Sequence, residues 1–182
     1  KELAIANALR YFDKKHHATV TIHKETYRRK NVVYVTIQAY QANTPQTPSL
    51  IFCPAINKKP AFEHIVYCAG ALGATQIIPI ITEKSNHKWL TDKAFTRLET
   101  IVLAGCEQAK QFVPPIIEPP KKLNLILDEI KEDAIVFDPD GKPLSTIINK
   151  QYNTLTVFIG PEGGFDHNEQ KLLIKNNVES YK

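Results

Sequence analysis

Apolar and polar side chains alternate along two early segments of the chain. The stretches "ATVTIH" (residues 18–23) and "NVVYVTIQAYQ" (residues 31–41) have the period of two expected of strands with one buried face, and "KETYRRK" between them is predicted to form a basic turn. The polar stretch "QANTPQTPS" (residues 41–49) contains two prolines and favours an extended linker. The pattern predicts a small β region over residues 1–46 and a separate domain over residues 47–182.

In the second region, short apolar runs alternate with helical patterns. Strands are predicted at "SLIFCPA", "TQIIPIIT", "VPPIIEPP", "AIVFDP" and "TLTVFIG", with helices between and after them. Ile65, Ala69 and Leu72 keep the spacing of one helical face, and Asp166 with Glu169 forms a capping-box pattern at the start of the last helix. Strands that alternate with helices are typical of an α/β domain whose mostly parallel sheet is covered on both faces.

Composition narrows the class of protein. The chain has 182 residues, 43% of them hydrophobic, and its longest apolar runs fall far short of the roughly 18 residues of a membrane helix. No secretory signal pattern is recognisable, so a cytoplasmic protein without membrane attachment is expected. Cys53, Cys68 and Cys106 are predicted to be reduced packing residues, and the six histidines lack ligand spacing, so no metal is expected. The net charge of +4 permits a nucleic-acid partner.

The segment "IGPEGGF" (residues 159–165) is the strongest candidate for a binding site. It follows a predicted strand and precedes a helix, and parallel sheets bind ligands beyond the carboxyl ends of their strands. Gly163 and Gly164 allow unusual backbone angles and close approach, while Pro161 stiffens the loop. The phosphate-binding glycine patterns are absent and Glu162 would repel a pyrophosphate, so a neutral ring edge or a cation fits better. A tight turn that holds no ligand is the alternative.

Three segments together resemble one family. They are "IGPEGGF" followed by Glu169, "PAINKKPAFEHIVYCAGALGATQIIPIITEKS", and "KAFTRLETIVLAGCEQAKQFVPPI". In this order they are similar to the RsmE family of ribosomal RNA uracil-N3 methyltransferases, and the likeness covers residues 48–182. It implies the SPOUT class of α/β trefoil-knot methyltransferase domain, preceded by a small, partial PUA-like β-barrel that helps to hold RNA.

The resemblance also implies a cofactor, a substrate and an assembly. The cofactor is S-adenosylmethionine, the substrate a uridine in 16S ribosomal RNA of the small subunit, and the assembly a homodimer. The expected cofactor-binding residues are Ile159, Gly160, Pro161, Glu162, Gly163 and Gly164. The catalytic group is unknown, with Arg97, Glu107 and Gln108 as candidates, and the expected RNA-binding residues are Arg28, Arg29, Lys30, Lys58 and Lys59.

The chain also departs from the family pattern. Lys84 stands where the family usually has Arg, which keeps the charge but loses the bidentate fork, and Lys110 is the nearest cation after the Glu-Gln pair. The chain has no Met and stops at "VESYK", so the β region is expected to be incomplete and the C-terminal knot segment to be missing. A non-catalytic RNA-binding protein on the same fold is the alternative function. A hydrolase-like enzyme using Glu162 as base ranks last, because no nucleophile elbow is present.

Overall fold

The computed structural model describes residues 6–12, 16–27, 30–44, 46–130, 133–147 and 149–182. Contacts divide the chain into two compact units, Lys1–Thr44 and Pro45–Lys182. Within the described residues, no helix is both long and apolar enough to cross a membrane.

The first unit is an antiparallel sheet. Its strands are β1 (Ala6–Phe12), β2 (His16–Tyr27) and β3 (Lys30–Ala42), in the order β1-β2-β3. Both predicted strands are present, but they extend further than the sequence indicates. The segment 24–27 belongs to β2 and pairs with β3, so the predicted basic turn is wrong over those residues. Arg28 and Arg29 lie outside the described residues.

The expected buried face is present on β2 and absent from much of β3. Ala18 and Val20 on β2 are buried, whereas Val35, Ile37 and Tyr40 on β3 are each more than half exposed. The described elements of this unit are three strands in one sheet, and therefore no second layer of the unit covers β3. The period of two correctly predicts the strand here but not the burial.

The second unit is an α/β domain. Its strands are β4 (Ser49–Pro54), β5 (Gln76–Ile77), β6 (Ile80–Ile81), β7 (Ile116–Ile117), β8 (Lys121–Lys122), β9 (Asp133–Lys142), β10 (Thr154–Ile159) and β11 (Glu179–Tyr181). Its helices are α1 (Lys59–Ala71), α2 (Asp92–Ala109), α3 (Leu123–Glu129) and α4 (His167–Lys175). The predicted alternation is confirmed. The predicted strand "TQIIPIIT" is divided into β5 and β6, because Pro79 between them has no N–H to donate to a ladder.

Six strands form a wholly parallel sheet in the order β11-β9-β10-β4-β5-β7. Strand β10 lies inside the sheet, where Ile159 is in register with Pro54 of β4 and with Phe137 of β9. Parallel strands end at a common edge, so the segments that follow β4 and β10 emerge side by side. A separate pair, β6 and β8, continues this edge through a parallel bridge between Ala55 and Ile80.

Apolar side chains pack on both faces of this sheet. One cluster joins Phe158 to Ile126 and Leu173 under α3 and α4, and another joins Phe62, Leu98 and other residues under α1 and α2. The predicted face of α1 is partly wrong. Ala69 is buried, but Leu72 follows the last helical residue and is 74% exposed, so it does not share the buried face.

Candidate functional site

The "GPEGGF" segment lies at the carboxyl end of β10, as the sequence predicts. We call residues 160–165 the glycine loop. The carbonyl of Ile159 accepts a hydrogen bond from the N–H of Ala55 at 2.8 Å, which joins the end of β10 to the segment after β4. Pro161 and Phe165 are buried, whereas the three residues Glu162, Gly163 and Gly164 are exposed. The loop therefore presents its backbone to solvent at the edge of the sheet.

The two adjacent glycines have different conformations. The N–H of Gly164 donates to the carbonyl of Pro161 at 2.8 Å, which closes a tight turn, and Gly164 has a φ of +67°. Gly163 lies outside the left-handed region. The left-handed conformation that glycine allows is therefore used at Gly164 and not at Gly163. A side chain at Gly160 would also be excluded, since its Cβ would meet the Phe165 ring at 2.9 Å.

The segment after β4 contacts the glycine loop through Asn57. Its side-chain Oδ1 accepts a hydrogen bond from the N–H of Glu162 at 3.3 Å, and its carbonyl accepts one from Trp89 Nε1 at 2.8 Å. Trp89 also packs edge-on against Phe62, so its ring is a packing group beside this segment. Asn57 was not among the residues predicted from the sequence, although a polar residue three positions after a buried strand is a usable signal.

The segment after β6 contacts the glycine loop through Lys84 and the first turn of α4 through Glu83. Glu169 is only 9% exposed, and its two carboxylate oxygens accept hydrogen bonds from the N–H groups of Glu83 and Asp166, both at 2.8 Å. Asp166 in turn accepts from the N–H of Glu169 at 2.7 Å, which confirms the predicted capping box. The Lys84 ammonium donates to the carbonyl of Gly163 at 2.7 Å. Three loops thus meet at one edge of the sheet.

Charged side chains extend from the glycine loop to α2. Lys58 Nζ lies 3.6 Å from the Glu162 carboxylate, and Lys59 Nζ lies 4.0 Å from Glu63. Arg97 on α2 donates to Glu63 from Nε at 2.7 Å, and this hydrogen bond holds the pKa of the Glu63 carboxyl below its usual value. The candidates Lys58, Lys59 and Arg97 are therefore near one another, around the amino end of α1.

The remaining candidates lie elsewhere. Glu107 and Gln108 are exposed near the carboxyl end of α2, ten residues beyond Arg97, which corresponds to about 15 Å at 1.5 Å per residue. They do not share a small site with Arg97 in one chain. Lys30 begins β3 in the other unit. No group of three or more potential metal ligands lies together in the described parts of the chain.

The glycine loop retains hydrogen-bonding capacity for a ligand. Its contacts use the carbonyls of Pro161 and Gly163 and the N–H of Glu162. The carbonyls of Gly160 and Glu162 and the N–H of Gly163 have no hydrogen-bond partner among the residues that the structure describes. Acceptors and a donor within four residues suit the edge of a planar heterocycle better than a phosphate, because a phosphate needs donors alone.

A cavity of about 500 Å³ lies at the opposite edge of the sheet, near the amino ends of β9 and β11. Its lining includes Leu127, Asp133, Lys150, Tyr152 and Glu179. None of the residues predicted from the sequence to form a site lines it. This cavity is therefore separate from the candidate site at the glycine loop.

The second unit matches a known protein family. The family model for the RNA methyltransferase domain covers residues 44–182. The ribosomal RNA small subunit methyltransferase E of Aquifex aeolicus (strain VF5) is 31% identical over 121 residues, which are 65% of this chain and 52% of the relative. The Rickettsia conorii (strain ATCC VR-613 / Malish 7) protein of the same name is 32% identical over 143 residues, 73% of this chain and 55% of the relative. The chain thus spans about half the length of these relatives.

A solved structure agrees in fold. A Legionella pneumophila protein in complex with the cofactor SAM has a TM-score of 0.80 to this chain at 24% identity, covering 97% of this chain and 74% of its own. This likeness confirms the predicted α/β fold with a parallel sheet preceded by a small antiparallel sheet.

Proposed function

The chain belongs to the RNA methyltransferase domain family, and we propose that it transfers the methyl group of S-adenosylmethionine to N3 of a uridine in 16S ribosomal RNA. The two curated relatives are named as small-subunit ribosomal RNA methyltransferases, and the Legionella pneumophila protein binds SAM. The observation that carries the proposal is the exposed glycine loop at the carboxyl end of β10, hydrogen-bonded to two neighbouring loops.

The glycine loop fits the adenine of this cofactor. The carbonyls of Gly160 and Glu162 would accept from the adenine amino group, and the N–H of Gly163 would donate to a ring nitrogen. Gly164 has no Cβ that would narrow this approach. When bound, the cofactor supplies a methyl group already activated on a sulfonium, and the protein's part is to orient it and exclude water. Ile159 to Gly164 are the residues that we assign to cofactor binding.

The uridine must lose its N3 proton, whose pKa lies well above neutral. A fixed cation beside the uridine oxygens stabilises the resulting anion. We assign this role to Arg97, because Glu63 holds its guanidinium through two hydrogen bonds, 2.7 and 3.4 Å long, at the amino end of α1. Glu162 is a poorer candidate for a base, since its carboxylate already pairs with the ammonium of Lys58 at 3.6 Å.

A homodimer is part of the proposal. Glu107 and Gln108 lie about 15 Å from Arg97 along α2, which is too far for the three residues of one chain to share a small pocket. In a dimer, Arg97 of one copy and Glu107 and Gln108 of the other can contribute to one pocket. Sedimentation of the purified protein across a concentration series tests this. A monomer at all concentrations would remove Glu107 and Gln108 from the catalytic candidates.

Ribosomal RNA is the proposed macromolecular partner. Lys58 and Lys59 lie beside the glycine loop and are the described cations that we assign to phosphate contacts near the reacting base. The basic residues Arg28, Arg29 and Lys30 are assigned to backbone contacts from the β unit.

The proposal is tested by incubating the protein with methyl-labelled S-adenosylmethionine and small ribosomal subunits that lack the modification. Digestion of the RNA and mass spectrometry should locate the label at uridine N3. The Arg97→Met variant should lower the rate strongly while cofactor affinity stays unchanged. Binding of both ligands without methyl transfer would overturn the proposal in favour of a non-catalytic RNA-binding protein.

A further inference from the structure

Two consecutive residues of the segment after β6 bind the glycine loop and the helix that follows it. The N–H of Glu83 donates to Glu169 at 2.8 Å, and the ammonium of Lys84 donates to the carbonyl of Gly163 at 2.7 Å. We propose that Lys84 is a positioning residue for the cofactor, holding the glycine loop in the conformation that binds S-adenosylmethionine. This inference rests on the proposed function, because it concerns the same site.

Lys84 extends from a firmly held backbone. Thr82 and Ser85 close a tight turn around it, with the N–H of Ser85 donating to the Thr82 carbonyl at 3.1 Å and the N–H of Thr82 donating to Ser85 Oγ at 2.8 Å. Glu83, which precedes Lys84, is bound by the buried carboxylate of Glu169 in the first turn of α4. The starting point of the Lys84 side chain is therefore fixed relative to the helix that follows the glycine loop.

The contact of Lys84 acts on the peptide between Gly163 and Gly164, in the exposed part of the loop. The N–H of this peptide donates to the Pro161 carbonyl at 2.8 Å, and Lys84 binds its carbonyl. Rotation of this peptide would turn the Gly163 carbonyl away from Lys84 and break a charge-assisted hydrogen bond, which is stronger than a neutral one. The Lys84 stem also covers Gly163, since its Cδ would lie 3.1 Å from a Cβ there.

Three substitutions test the inference. Lys84→Met keeps the aliphatic stem and removes the ammonium, Lys84→Arg restores a cation, and Lys171→Met removes an exposed charge from α4 as a matched control. S-adenosylmethionine affinity is measured by calorimetry, and hydrogen exchange of residues 160–164 is measured without cofactor. Thermal unfolding checks that each variant is folded.

We expect Lys84→Met to weaken cofactor binding by about tenfold, equivalent to about 1.4 kcal/mol, and to speed exchange in the glycine loop. Lys84→Arg should recover most of both losses, and Lys171→Met should match the parent. Unchanged affinity and unchanged exchange in Lys84→Met would overturn the positioning role while leaving the cofactor assignment intact. If the parent protein bound no S-adenosylmethionine, the proposed function would fail instead, and exchange would still report whether Lys84 holds the loop.

Discussion

Arg97 on α2 and Glu63 on α1 form a two-pronged ion pair, with Nε 2.7 Å from Oε1 and Nη2 3.4 Å from Oε2. The Arg97 side chain is 60% exposed, whereas the Glu63 side chain is only 18% exposed. A guanidinium fork orients its carboxylate partner in two directions, so the pair fixes Arg97 at the amino end of α1.

The first prediction concerns the pH dependence of this pair. The hydrogen bond from Arg97 lowers the pKa of Glu63 in the folded protein. Its contribution to stability is therefore complete above the pKa of an unfolded glutamate and is lost as the pH falls through the lower folded value. The difference in urea midpoint between the parent and Arg97→Met should shrink from about pH 7 to about pH 3. Lys93→Met on the same helix is the control, and a difference that stays constant would contradict the prediction.

The second prediction separates the two glycines of the loop. Gly164→Ala forces a side chain into the left-handed region and should cost about 1 kcal/mol of unfolding free energy. Gly163→Ala should be nearly neutral for stability, because its Cβ would meet only the flexible Lys84 side chain. Denaturant unfolding measures both. Equal losses of unfolding free energy would contradict the different backbone conformations of Gly163 and Gly164.

The third prediction tests the helix cap beside the loop. Asp166→Ala removes the capping box of α4 and should lower the free energy of unfolding by about 1 kcal/mol. It should also weaken the binding of S-adenosylmethionine. Thr91→Ala removes the cap of α2 and is the matched control. It should lower the melting temperature by a similar amount without weakening the binding of the cofactor. Calorimetric titration of both variants with S-adenosylmethionine measures the two affinities. If both lost affinity in parallel, global destabilisation would explain the result.

The fourth prediction concerns cysteine reactivity. Burial raises the pKa of the Cys53 thiol to about 12 and that of Cys106 to about 11. Both are therefore protonated at about pH 8, and the thiolate is the reactive form. Iodoacetamide should label the half-buried Cys68 first in the folded protein, as read by peptide mass spectrometry. Urea-unfolded protein, in which all three should react, is the control. Early labelling of Cys53 would contradict its burial.

The fifth prediction concerns RNA. Replacing Arg28, Arg29 and Lys30 together by Ala should weaken RNA binding and reduce its salt dependence, because fewer counterions are released from the phosphates. Cofactor affinity should be unchanged. Alanine at Lys110, Lys171 and Lys175 is the matched control. A triple variant with the parent's salt slope would show that the three residues are ordinary solvated charges.

The sequence by itself determined the order of the elements in the α/β unit and the position of the loop. Strand runs, the Asp166 and Thr91 caps and the glycines are local signals, because each depends on backbone geometry within a few residues. Local signals also led to two errors. Leu72 continued the helical spacing past the last turn, and β3 has the period of a half-buried strand although Val35, Ile37 and Tyr40 are each more than half exposed.

The tertiary structure alone decided which residues meet. Asn57 is 105 residues from Glu162 and Lys84 is 79 residues from Gly163, and the local sequence does not specify which segment either residue contacts. Parallel topology brings them together, since β4 and β10 end at one edge and β6 extends it. What the fold leaves apart in one chain is the set Arg97, Glu107 and Gln108, since all three lie on α2 and its rise of about 1.5 Å per residue places Arg97 about 15 Å from the other two.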